Sequence, residues 1–189
     1  MENTRIITGD SEFAVLEQLK QDFKNPDQLF DYAAEVRLGN RTIFVTLDID
    51  LGGGFESGYA FTVLQAPFPD PTGFKFAIYP QDLLAEIGKL FGMQDVKVGY
   101  PAFDDKFMIK SNQPEKVKLL FTDPEIRQRL EKLHHFKFEI NHVDVSEANH
   151  PARLELTISE GVTDPAAIED LFILMLRTLD KLEPVASAR

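Results

Sequence analysis

The chain has no cysteine and no tryptophan. Without cysteine there can be no disulfide, thiolate metal centre or cysteine nucleophile, and the composition fits a reducing compartment, so a cytoplasmic location is expected. Long apolar runs are also missing. The longest, Leu171 to Leu176, sits inside an amphipathic pattern and falls far short of the roughly 18 residues a membrane span requires. Met1 to Asp10 lacks the basic-then-apolar order of a signal peptide. A basic excess is absent as well: the net charge is -11, with 14 acids against 7 bases over residues 1–94 and 17 against 13 over 95–189. The lysines and arginines of 97–132 are interleaved with acids, so no footprint for a phosphate backbone forms and nucleic acid is not an expected partner. Nucleophile and nucleotide motifs are missing too. There is no GxSxG, and Gly52-Gly53-Gly54 is not followed by GK[ST] and precedes a strand pattern.

What is present is an ordinary globular balance, 43% hydrophobic and 27% charged over 189 residues. A chain this long buries enough surface to fold without a metal or disulfide staple. Sixteen phenylalanines carry much of the expected core.

Helical spacing places Phe13, Leu16, Leu19 and Phe23 on one side of a helix over Ser11–Phe23, capped by Asp10 or Ser11. Period-two alternation follows: Phe30, Tyr32, Ala34, Val36 and Leu38, then Ile43, Val45, Leu47, Ile49 and Leu51, flanking Gly39-Asn40. That pattern is a β-hairpin with one buried face. Tyr59, Phe61 and Val63 start a third strand, and Phe74, Phe76 and Ile78 mark a fourth. Three prolines between Pro67 and Pro71 predict a stiff projecting loop with Phe68 at its tip. Pro80 to Gly92 reads as a helix through Leu83, Leu84, Ile87, Leu90 and Phe91. Short strands are expected at 95–98 and 103–110, and helices at 114–121 and from Thr122 or Asp123. Strands at 135–143 and 153–159 come next, then a long C-terminal helix from Pro165 to about Leu182 capped by Asp164. Strands that follow one another without intervening helices pair antiparallel. The expected fold is α+β: antiparallel sheet with helices packed on one face, in one domain over 1–189, with 92–96 as the place where two sub-domains would part.

Few groups could carry chemistry. Asp48 and Asp50 share one side of their strand and could bind a divalent cation, although two carboxylates fall short of a calcium shell. Asp104-Asp105 reads as a turn whose side chains bond the backbone. No HExxH or HxH occurs among His134, His135, His142 and His150. His142 stands out because it continues the apolar alternation of Phe136, Phe138 and Ile140. On the last helix, Ile173 falls within the arc of Glu169, Asp170, Arg177, Asp180 and Lys181. Ile173 and Phe68 are the expected partner-contact residues.

The motif Asp95-Val96-Lys97-Val98-Gly99, followed by Phe103-Asp104-Asp105-Lys106-Phe107-Met108-Ile109-Lys110-Ser111 and the helical stretch Val117 to Leu130, resembles a segment of uncharacterised bacterial proteins. Residues 91–130 carry the resemblance. It implies a bacterial origin and a strand pair clamped to the core by Phe103 and Phe107, and no activity.

The sequence is therefore read as a non-catalytic protein- or ligand-binding module with no cofactor, whose partner is another protein or a second copy in a homodimer. One alternative is a metal-assisted hydrolase or other small-molecule enzyme using Asp48, Asp50 and His142. Another is a carrier of apolar molecules within a Phe-lined core.

Overall fold

The computed structural model describes residues 4–53, 57–70, 72–83, 92–142 and 152–182, with the backbone alone at Asp27 and His142. A strand that the alternation argument passes over, β1 (Arg5–Gly9), comes first. Helix α1 (Glu12–Asp22) follows, its first turn capped by the Ser11 hydroxyl, which accepts the Ala14 N–H at 3.2 Å. It buries Val15, Leu16 and Leu19. Phe13 is 74% exposed instead of joining them. At 100° per residue it lies about 115° from the centre of that buried stripe.

The hairpin forms as β2 (Asp31–Leu38) and β3 (Arg41–Asp50), with Gly39 at φ +61 in the turn. β4 (Tyr59–Phe68) and β5 (Phe76–Pro80) follow, then a single 3-10 turn at Gln81–Leu83. The helix expected from Pro80 lies, beyond Leu83, outside the described residues, as do His150 and the tail at 184–189. The second half contributes β6 (Gln94–Asp95), α2 (Pro101–Lys106), β7 (Phe107–Ser111), α3 (Pro114–Leu120) and α4 (Pro124–Glu131). It ends with β8 (Phe136–His142), β9 (Ala152–Ile158) and α5 (Pro165–Leu182).

The described strands form one sheet in the order β1-β2-β3-β4-β9-β8-β5-β7-β6. Only β1–β2 is parallel; the other pairs are antiparallel. Strands β9 and β8, from the second half of the chain, stand between β4 and β5 from the first. One buried row runs across seven strands in register: Ala34, Val45, Leu64, Leu156, Phe138, Ile78, Ile109. Each large side chain in it contributes roughly 1.5–3 kcal/mol by leaving water. Helices α1 and α5 lie together over this face, and α3 and α4 pack on α5. The amphipathic spacing of α5 explains its seat, since Ile168, Leu171, Phe172, Met175 and Leu179 are all buried.

Three expectations change. The strand expected at 103–110 forms only from Phe107 onward, as β7, because Pro101 is well placed in the first turn of a helix over 101–106; Phe103 therefore sits on the helix and Phe107 on the strand, both buried. Pro67 belongs to β4, opposite Arg153. Pairing with β3 ends at Gln65, so this position has a ladder partner on one side only, where a proline is tolerated. Phe68 is accordingly no loop tip; it closes β4 and is 4% exposed. On β4 the buried face is Thr62, Leu64, Ala66 and Phe68, while Tyr59, Phe61 and Val63 line the opposite one.

Candidate interaction surface

The side of the sheet opposite α1 and α5 presents, from β3, Phe44, Thr46, Asp48 and Asp50. Against them in register stand Gln65, Val63, Phe61 and Tyr59 of β4. An open antiparallel face ordinarily alternates to polar residues. Here Phe44 is 39% and Tyr59 52% exposed, Phe61 and Val63 are half-buried, and Tyr59 stacks on Phe61 with ring centres 6.0 Å apart. Ile6, 54% exposed, extends the same face at the β1 edge beside Glu35.

One end of this stripe is acidic. The two-residue turn at 39–40 fixes the β2–β3 register so that Asp31 lies directly opposite Asp48, and Asp50 follows two residues on. The Tyr59 hydroxyl donates to Asp48 Oδ2 at 3.5 Å. The negative charge of Asp48, then partial burial and the charge of Asp50, push Tyr59 ionisation upward, so the phenol stays a donor. The Gly52 N–H donates to Asp50 Oδ1 at 2.9 Å. Gly58 holds the corner: a Cβ there would lie 2.4 Å from the Asp50 carbonyl oxygen. Among the described residues no lysine or arginine forms an ion pair with Asp31, Asp48 or Asp50. Elsewhere on the face Arg37 pairs with Glu35 and Lys137 with Glu139, both at 2.7 Å, while Glu155 accepts from the neutral Gln65 Nε2 at 2.7 Å.

The other sites anticipated from the sequence do not assemble. His142 pairs with Ala152, which pairs with Phe68, whereas Asp48 pairs with Phe61. Seven residues along β4 at 3.3 Å each put about 23 Å between these two register positions. Asp48, Asp50 and His142 thus cannot share one ion. Among the described residues no group of three or more His, Asp or Glu side chains is placed to hold a metal. Phe68 is buried, so it offers no contact surface, while Ile173 packs against the core and stays half-buried. Asp104 bonds the backbone as its residue type suggests: buried on α2, it accepts the Val98 and Gly99 N–H groups at 2.8 and 2.9 Å.

Two clefts offer less. A cavity of about 640 Å³ beside β1 and β2 is lined by Arg5, Asp22, Gln28, Asp31, Tyr32 and Ala33. Within it Asp22 Oδ2 already accepts from Arg5 Nε at 2.7 Å and from the Tyr32 hydroxyl at 3.0 Å. Burial first, then the Asp22 charge, raises Tyr32 ionisation far above its ordinary range, so this trio is a closed structural bond set. A second cavity, about 290 Å³, includes Asp82, Lys106, His134 and His135. His135 has φ +46, and its carbonyl accepts the Ser159 N–H at 2.9 Å, so the unusual backbone serves the turn into β8.

Sequence reasoning passed over Asp31, Tyr59 and Phe61 as site residues. The signal was available for Asp31, since a turn at 39–40 pairs 38 with 41 and hence 31 with 48. For Tyr59 and Phe61 the alternation was visible but not which face it served. No family model matches the chain, and no curated protein or solved structure matches it.

Proposed function

We propose that this chain is a non-catalytic protein-binding module whose working surface is the open face of β3 and β4. One observation carries the reading: Phe44, Tyr59, Phe61 and Val63 lie side by side, partly exposed, on a face that the described helices leave uncovered. Aromatic side chains are enriched at interfaces and costly to leave in water. The enzyme alternative is weakened by the separation of Asp48 from His142. The carrier alternative is weakened by the core itself, where Phe76 meets Phe138 edge to face at 5.7 Å and Phe121 at 6.3 Å. Those rings fill the space that a carried molecule would occupy. The cysteine-free composition supports a reducing, cytoplasmic setting.

The test is a photoreactive benzophenone side chain at position 44 in living cells, with a second probe at Leu119, which is exposed on α3. A discrete adduct from position 44, absent from 119 and lost on adding Phe61→Glu, supports the surface. An adduct of twice the chain mass identifies the partner as a second copy. Equal labelling from both positions, or none from 44, removes the proposal.

A further inference from the structure

We infer that the occupant of this face is a cationic amphipathic helix of another protein, its basic residues gathered at one end. The inference rests on the open-face reading above and adds the chemistry of the partner. Strand addition is ruled out geometrically, because β3 is paired on both sides by β2 and β4, and β4 by β3 and β9. The free ladder edge lies at β1, two strands from this patch, so a partner seated on β3 and β4 must engage through side chains, which is what an amphipathic helix offers.

Length and polarity follow from the register. From Phe44 to Asp50 is six residues of strand, about 20 Å, the length of about 13 helical residues. At the Phe44 end, Phe44 and Val63 present apolar surface. At the other end Asp31, Asp48 and Asp50 have no ion pair among the described residues; the Tyr59 hydroxyl donates to Asp48 and the Gly52 N–H to Asp50. Complementarity calls for lysine or arginine over that end and aliphatic side chains over the stacked Tyr59 and Phe61. A second copy fits less well, because two chains of net charge -11 repel.

The experiment uses the full chain and three fluorescent 14-residue helical peptides of equal hydrophobicity, read by anisotropy. One carries lysines clustered at one end, one carries glutamates in their place, and one is neutral. Two variants of equal charge change are compared, Asp31→Asn/Asp48→Asn/Asp50→Asn on the face and Asp105→Asn/Glu115→Gln/Glu131→Gln on the helical side. The lysine peptide is expected to bind, to lose about tenfold in affinity with the face variant, and to change by less than about twofold with the other. Phe61→Ser should weaken it as well. Equal losses in both triple variants mean bulk attraction and overturn the inference. Equal binding of the neutral or acidic peptide overturns the charge assignment, while a surviving position-44 adduct leaves the surface itself standing. If no peptide binds and no adduct forms, both fail. A sedimentation dimer broken by Phe61→Ser makes the occupant a second copy and also overturns the inference.

Discussion

At the scale of single residues, the polar groups inside this fold are fixed by their bonding. Thr62 is fully buried on β4; its hydroxyl donates to the Glu160 carbonyl at 2.8 Å and accepts the Val162 N–H at 2.9 Å. Thr62→Val keeps the shape and leaves both backbone groups unpaired, so a loss of about 1–3 kcal/mol is expected in urea unfolding. A near-neutral result would mean that water replaces the hydroxyl. Asp104→Ala should cost a similar amount by stranding the Val98 and Gly99 amides. Asp70 extends the argument to pH. Burial alone would raise its pKa, but bonds from the Thr72 hydroxyl and N–H and the Phe74 N–H, together with the Lys116 charge, hold it below the ordinary value. A carboxylate depressed in the folded state contributes stability that is fully present above its unfolded pKa of about 3.9 and lost as pH falls through the folded value. The stability gap between the wild type and Asp70→Asn should thus be constant near neutrality and close below about pH 4. A gap that persists at pH 2 would show that the carboxylate charge is not what matters.

At the scale of elements, legibility tracks how local the deciding interaction is. The β2–β3 hairpin is read correctly except at its ends, where Phe30 and Leu51 are exposed, because its turn, alternation and register all lie within twenty residues of sequence. Helix α5 is read correctly because its stripe alone decides its seat. β1 escapes because five residues with one buried side chain, Ile7, carry no period; it exists only by parallel pairing to β2. The alternation of β4 leaves its faces open, because Tyr59-Phe61-Val63 and Thr62-Leu64-Ala66 alternate equally well. What decides between them is non-local: Leu64 falls in register with Val45 and Leu156, both buried. Half of the candidate surface was therefore visible as residues and hidden as a surface. The same close pairing gives an element-scale prediction. Gly58→Ala places a methyl group against the Asp50 carbonyl. It should pry the β3–β4 ends apart, speeding amide exchange at residues 48–50 and 59–61 while leaving the β2–β3 turn protected. Uniform exchange rates across the hairpin would contradict the tight corner.

For the whole molecule, an excess of eleven negative charges is tolerable only if most acids are paired or solvated, and the described surface divides accordingly. On the helical side Glu125 accepts from both Arg129 and Arg177, and Asp170 from Lys132, tying α4 to α5. Beside β1, Asp22 serves Arg5 and Tyr32. At the end of the open face, by contrast, Asp31 and Asp48 face one another across the β2–β3 ladder with no ion pair to either among the described residues. Like charges directly opposed cost roughly 0.2–1 kcal/mol, so the fold carries a small electrostatic penalty at the place where a basic partner is proposed to dock. Opposite signs of mutational effect follow. Asp48→Asn, which keeps an oxygen for the Tyr59 hydroxyl, should raise stability by up to about 1 kcal/mol at low salt, a gain that shrinks as ions shorten the screening length to a few ångströms. Asp22→Asn should lower stability at any ionic strength, because it weakens two bonds that the fold uses. Urea unfolding of both variants at low and high salt measures this directly. If Asp48→Asn is destabilising, then Asp48 is holding the sheet together, and the acidic end belongs to the architecture and not to binding.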